Sequence, residues 1–200
     1  MLLSFVVPAF ANPKRLRTCL SSLLDQTIPS SEIEIIVADN TIDLEVANAN
    51  KELCRMDPDI KYIWTADKTI ITGPHFRCLY TATEIGVEMA TGEWLGFPNQ
   101  DTAHVPVFAE RMIKHGDDNN LQMVYCDFVL GGPELAYGPR QTNATVCNVD
   151  KTGIIVKRSC FSGFKNKTTD YSCADGHFVQ KLAESGIRHG RLAEYLVMHN

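Results

Sequence analysis

Apolar residues follow two rhythms along this chain. Short continuous runs rich in β-branched residues fall at 2–7, 33–38, 60–64, 93–97, 122–130, 153–156 and 195–198. Runs of that length read as strands buried on both faces. Between them, apolar positions recur at helical spacing, as in Leu16, Leu20, Leu23 and Leu24, and again over 44–54, 75–90, 105–115 and 174–185. Asn12-Pro13 supplies a helix N-cap followed by proline in the first turn. Thr91-Gly92 and Gly186 supply helix ends. Residues 132–148 show no period and read as a long loop. Strands alternating with helices predict an α/β domain, its mostly parallel sheet flanked by helices on both faces.

With 200 residues, the chain is long enough for one domain with a sizeable core. It is expected to fold as a single unit, residues 1–101 forming one functional half and 102–200 the other. A formal net charge of −5 argues against sequence-independent nucleic-acid binding, which rests on Lys and Arg neutralising phosphates. The seven cysteines are odd in number and never spaced as C-x-x-C, which argues against both a disulfide framework and a zinc site. They read as small buried hydrophobes in a reducing compartment. The opening apolar run lacks a basic flank, is cut by Pro8, and is too short to span a membrane. The expectation is a cytoplasmic protein without a membrane span. On that basis the sequons at Asn143 and Asn166 read as chance.

In parallel sheets, ligands sit outside the carboxyl ends of the strands. Three predicted strand ends carry polar groups: Pro8 to Asn12, Asp39-Asn40, and Asn99-Gln100-Asp101. Neither G-x-G-x-x-G nor G-x-x-x-x-G-K-[ST] follows the first strand, which excludes a dinucleotide fingerprint and a P-loop. Any phosphate must therefore be handled by something other than backbone amides, and a carboxylate-held metal is the usual substitute.

The chain also resembles the family-2 glycosyltransferases. Ser4-Phe5-Val6-Val7-Pro8-Ala9-Phe10-Ala11-Asn12 is similar to their opening S-[VI]-[VI]-[VI]-P-x-[YF]-N, with one extra residue before Asn12. Leu16 to Gln26 resembles L-x-x-C-L-x-S-L-L-x-Q, and Glu34 to Asn40 resembles E-I-I-V-V-D-[DN]. Ala90 to Phe97 resembles A-T-G-E-[YW]-[IL]-x-F, which in the family leads into D-x-D. Ala174 to Ala183 resembles E-D-x-[DE]-F-x-x-R-L-A. These matches run in family order from residue 4 to about 199.

The resemblance implies a GT-A type fold and inverting transfer of a sugar from a nucleotide-sugar donor to a glycan or other hydroxyl acceptor. It places Pro8, Ala9, Phe10, Asn12, Asp39, Asn40, Asn99 and Gln100 at the donor nucleotide. Asp101 and His199 become ligands for Mn²⁺ or Mg²⁺, and Asp175 becomes the general base, with Asp170 as its rival. Two family acids are missing: Asn99 stands for the first D-x-D carboxylate, and Ala174 for the glutamate before the base. These departures favour an alternative, a degenerate module that binds nucleotide or glycan without turnover. A sugar-nucleotide pyrophosphorylase would need a Gly-rich, Arg-containing loop after the first strand, and none is present.

Each residue also has a structural reading. Asp39 can form a turn, Asp101 can cap the next helix, and Asp175 can be a first-turn carboxylate favoured by the helix dipole. Asn12 can be an N-cap, and His199 a solvated strand end. Lys68 and Arg77 fall where a cation could meet phosphate, or are surface charges. Lys157-Arg158 and Gly163-Phe164 lie where the family places an acceptor-side loop. Trp64 and Trp94 are expected in the core.

Overall fold

The computed structural model describes residues 1–66, 76–131, 138–145, 148–164 and 174–199, with backbone alone at 76–79 and 174. Nine strands among these residues form one sheet: β1 (Leu3–Ala9), β2 (Ile33–Asp39), β3 (Ile60–Trp64), β4 (Trp94–Gly96), β5 (Thr102–His104), β6 (Met123–Leu130), β7 (Gly138–Arg140), β8 (Ile154–Lys157) and β9 (His189–His199). Their order is β3-β2-β1-β4-β8-β6-β9-β5, with β7 paired to β6. The first four are mutually parallel. Antiparallel β8 then separates β4 from the parallel pair β6 and β9. Six strands thus run one way, and β5, β7 and β8 run against them.

Alternation along the strands divides the core. Leu3, Phe5, Val7 and Ala9 of β1 and Ile33, Ile35 and Val37 of β2 face one side. There they meet α1 (Pro13–Leu24), α2 (Leu44–Cys54) and α4 (Phe108–Asp118) through Leu16, Leu20, Leu53, Phe108 and Met112. Val6 and Ile36 face the other side. They join α3 (Phe76–Met89) and α5 (Ala174–Glu184) through Val87, Phe178, Val179 and Leu182. The expected α/β sheet with helices on both faces is thus present. A Cβ at Gly86 would stand 2.5 Å from Val6 Cγ1, so only glycine lets α3 lie this close to β1.

Several boundaries depart from the sequence pattern. Residues 102–104 pair with β9 although they are too few and too polar to read as a strand. β9 begins at His189, six residues before the apolar run, because its first half is half-exposed and joins β6 across a register shift at Asp127. β7 lies within the stretch expected as loop. α4 starts at Phe108, since Val105 still bonds Leu196 across to β9 and Pro106 accepts from Thr27. Trp94 is fully buried as expected, whereas Trp64 is 37% exposed and donates its indole N–H to the Thr41 carbonyl at 2.8 Å.

At the amino-terminal edge, Glu34 ties β1, β2 and the turn before β4 together. Its Oε1 accepts from Ser4 Oγ and the Thr91 N–H at 2.5 Å, and from the Gly92 N–H at 3.1 Å. Lys61 Nζ lies 2.6 Å from Oε2. Burial alone would raise this carboxyl, but the bonds from Lys61, Ser4 and Thr91 outweigh it and hold the pKa at about 2, against an ordinary 4.5. A carboxyl depressed by folding adds stability above its unfolded pKa. That contribution fades as pH falls from 4.5 toward about 2. Glu34→Gln is therefore expected to lower the urea midpoint at neutral pH, with the gap to the parent closing over that acid range. Equal midpoints at neutral pH would remove this role.

Candidate active site at the strand ends

The carboxyl ends of β1, β2 and β4 lie side by side, because these strands are parallel neighbours. The polar groups expected there do converge. Gln100 holds Phe10 from both sides, accepting its N–H at 2.8 Å and donating to its carbonyl at 2.7 Å. The D-x-D-like segment is thereby fixed to the loop after β1. Pro8 and Ala9 lie inside β1, and the Asn40 N–H donates to the Ala9 carbonyl at 2.9 Å. Asn12 caps α1, accepting from the Arg15 N–H at 3.1 Å. The extra residue before it, Ala11, is absorbed by a left-handed turn at φ 50, a region that residues with a Cβ enter at a cost of about 1 kcal/mol.

Asp39 is fully buried under this loop. Its Oδ1 accepts from the Thr41 N–H at 2.9 Å and from Thr41 Oγ at 2.5 Å. Its Oδ2 accepts from Asn50 at 3.0 Å and from the Tyr62 hydroxyl at 2.8 Å. Thr41 Oγ1 in turn accepts from the Ala11 N–H at 2.9 Å. Asp39 thus braces the left-handed turn through one intervening hydroxyl, which accords with its turn-forming reading.

The other half of the site comes from the carboxyl end of β9 and from the turn leading into β8. β8 is antiparallel, so the residues before it, Asp150-Lys151-Thr152, arrive at the carboxyl end of β4. β5 pairs Thr102 with His199 and so brings Asp101 beside the end of β9. Asp101 Oδ2 lies 3.6 Å from His199 Nε2 and 3.7 Å from Arg15. His199 Nδ1 lies 3.0 Å from Asp150 Oδ2. Lys151 is 3% exposed. Its ammonium donates to the Phe97 carbonyl at 3.2 Å and to the Asn99 amide oxygen. Its backbone N–H donates to Asp175 Oδ2 at 3.3 Å, and the Tyr80 hydroxyl donates to Asp175 Oδ1 at 2.6 Å. Asn99, Asp101, His199 and Asp175 therefore meet in one cluster, joined by Asp150 and Lys151.

The charges in this cluster shape one another. Hydrogen bonding to Asp101 and then to Asp150 raises His199 to about 10. Burial would raise Asp150, but His199 outweighs it and holds the carboxyl at about 2. Burial, and next the charge of Asp150, raise Asp175, against Lys151 and Tyr80. Burial lowers Lys151, against the pull of Asp175, Asp150 and Asp101. A carboxylate of raised pKa is a stronger base, which suits a group that must accept a proton.

The residues fit a divalent metal at Asp101 and His199. Asp101 Oδ1 is buried without a hydrogen-bond partner, and His199 Nε2 lies beside the same carboxylate. Asp150 on the other ring nitrogen is the outer partner that metal-bound histidines require. Binding would release the Nε2 proton. No group of three or more metal-ligating side chains occurs among the described residues, so a bound ion would take its remaining ligands from water and phosphate, as Mg²⁺ commonly does.

Other expectations resolve as follows. Asp101 is not the cap of α4, whose first turn follows Val107. Lys157 and Arg158 lie at the opposite edge, beside Glu93 and Gly92, and so cannot serve an acceptor loop at the strand ends. Phe164 is buried among Tyr80, Phe97 and Phe178. Asp170 and Lys68 lie outside the described residues, as does the Arg77 side chain. Asp150, Lys151, Tyr80 and Arg15 were not singled out by sequence, since no motif marks them. Among the described residues, Cys19, Cys54, Cys126 and Cys160 are free, and no helix is long and apolar enough to cross a membrane.

An α/β sheet of this order, with its polar cluster at the carboxyl ends of the parallel strands, is the GT-A type fold that the solved structures named below share. The chain belongs to glycosyl transferase family 2, which it matches over residues 4–182. It is 26% identical to the uncharacterized glycosyltransferase EpsJ of Bacillus subtilis (strain 168) over 144 residues, 72% of this chain and 39% of that protein. It is 30% identical to the putative glycosyltransferase EpsH of the same organism over 125 residues, 62% of this chain and 33% of that protein. The chain thus spans well under half the length of these relatives. Among solved structures it is similar to S. aureus TarS 1–349 in complex with UDP-GlcNAc, with a TM-score of 0.74 and 16% identity over 99% of this chain and 58% of that one. It is equally similar to the mannosyltransferase PcManGT from Pyrobaculum calidifontis in complex with GDP-Man and Mn²⁺, with a TM-score of 0.74 and 16% identity over 98% and 56%.

The bracing of the β1 loop is directly testable. Thr41→Val removes the hydroxyl that links Asp39 to Ala11 and is expected to cost about 1–3 kcal/mol. Amide hydrogen exchange should quicken at Ala11 more than at Phe5 or Val7. An Ala11 amide as protected as in the parent would show that Thr41 does not hold the turn.

Proposed function

We propose that this domain transfers a sugar from a nucleotide-sugar donor to a hydroxyl acceptor, with inversion at the anomeric carbon. The observation that carries the reading is the junction of Asp175 with Asp101 and His199 through Asp150-Lys151. It sets a candidate base beside a candidate metal and phosphate position. Membership of the family supports the reaction class. The nucleotide sugars bound to TarS and PcManGT, UDP-GlcNAc and GDP-Man, support the donor class.

In this reading residues 1–101 hold the donor and 102–200 face the acceptor, within one domain. The nucleoside rests on the loop from Pro8 to Asn12, which Asp39, Asn40, Thr41 and Gln100 brace. Asp101 and His199 hold Mn²⁺ or Mg²⁺, which when bound offsets the charge of the leaving diphosphate. Asp175 accepts the proton of the acceptor hydroxyl as its oxygen bonds to the anomeric carbon. The bond from that carbon to the diphosphate oxygen breaks, and the diphosphate leaves with the electron pair. A single displacement of this kind inverts the configuration.

The captured Asn99 amide favours a second reading, in which the site binds nucleotide without turnover, because its oxygen is withdrawn from any ligand. Two variants separate the readings. Asp101→Ala is expected to abolish the metal-dependent rise in thermal midpoint with a nucleoside diphosphate. Asp175→Asn should keep that rise while slowing transfer, or slow donor hydrolysis, by two orders of magnitude or more. Binding without any turnover in the parent would support the second reading. No rise with any nucleotide, with or without metal, would remove both.

A further inference from the structure

Lys151 and Asn99 form a pair with a consequence of its own. The chain has an amide where its family has the first D-x-D acid, and directly against that amide lies a lysine that is 3% exposed. An ammonium only donates hydrogen bonds, and an amide accepts only through oxygen. The two ends of the Asn99 side chain are therefore not interchangeable here. Its oxygen faces Lys151, and its NH2 group faces away. That group makes no hydrogen bond among the described residues, and Asn99 is only half-buried. Lys151 is itself held from a second side by the Phe97 carbonyl at 3.2 Å, so the ammonium cannot follow the amide if it turns.

We propose that Lys151 fixes Asn99 as a hydrogen-bond donor toward the bound nucleotide, so that this position contacts an acceptor oxygen of the donor's ribose or diphosphate and contributes nothing to a metal. This rests on the transferase reading of the site and deepens it. An acid at position 99, even paired with Lys151, would turn an acceptor oxygen toward the diphosphate in place of a donor, and a metal ion would have to bridge the two. The amide needs no such bridge, and the Lys151 charge already lies within the cluster. Among the described residues, Asp101 and His199 are then the protein's contribution to metal binding, and nucleoside diphosphate binding retains a part that needs no metal. Asn99 is the nucleotide contact, and Lys151 is the positioning residue that acts through it.

Calorimetric titration of UDP, GDP, uridine and guanosine, in Mn²⁺ and in EDTA, tests the pair in the parent and in Asn99→Ala, Asn99→Asp and Lys151→Met. Asn99→Ala is expected to weaken the preferred diphosphate roughly tenfold in both media. Loss confined to UDP or GDP assigns the contact to phosphate, and loss extending to the nucleoside assigns it to ribose. Asn99→Asp should lose its EDTA binding more completely than Asn99→Ala and regain it with Mn²⁺. Parent affinity in Asn99→Ala, or EDTA binding in Asn99→Asp equal to the parent's, would overturn the proposal.

A second readout needs no nucleotide and no activity. The side-chain NH2 resonances of Asn99, assigned by their loss in Asn99→Ala, are expected to shift in Lys151→Met. Unshifted resonances in a folded Lys151→Met protein would overturn the pairing. If that variant does not fold, the Asn99 variants decide through binding alone. A parent that binds no nucleotide at all would remove the transferase reading, and the ligand assigned to Asn99 with it. The amide resonances would still decide whether Lys151 orients the side chain.

Discussion

A lysine ammonium withdrawn from water is stable only where carboxylates and carbonyl oxygens surround it. Lys151 meets that condition by drawing three parts of the chain to one point. The end of β4 supplies the Phe97 carbonyl and the Asn99 amide. The turn before β8 supplies Lys151 itself and Asp150, and the first turn of α5 supplies Asp175. The carboxylates of Asp101, Asp150 and Asp175 all draw on its charge. Without that cation, three acids would crowd one partly buried space against His199 and the half-exposed Arg15.

The fold makes this gathering possible by breaking its own regularity. A sheet of parallel strands would bring only strand carboxyl ends to the ligand edge. Because β8 runs antiparallel, it brings an amino end there instead, and Asp150-Lys151 comes with it. β5, also antiparallel, sets Asp101 beside His199. The opposite edge is held by Glu34, so β1, β2 and the turn into β4 are fixed away from the ligand edge as well.

The first half of the chain, residues 1–101, was largely legible in the sequence. Its strands are continuous apolar runs, each ending in polar residues, and their parallel pairing follows from the intervening helices. Helix α2 lies where its apolar spacing put it, and Asn12 is the cap that Asn12-Pro13 announced. The second half, residues 102–200, was less so. β5 and the first half of β9 carry too few apolar side chains to signal a strand, and their pairing is a tertiary effect. Asp150, Lys151 and Tyr80 gave no local signal, since a charged pair before a short strand is ordinary on a surface. Their importance comes from burial, which the chain reveals only once β8 is known to run backwards. Asp39 was legible by motif, but its four internal donors were not.

In the proposed function, a nucleotide sugar and its metal bind at the cluster of Asp101, His199 and Asp175. The most direct test is anomalous diffraction from crystals grown with Mn²⁺ and the nucleoside diphosphate that raises the thermal midpoint most. A single strong manganese peak is expected within bonding distance of Asp101 and His199 Nε2, with the diphosphate on its open side. The Asn99 side chain should remain on Lys151. A manganese peak held elsewhere, or a nucleotide bound away from these strand ends, would contradict it.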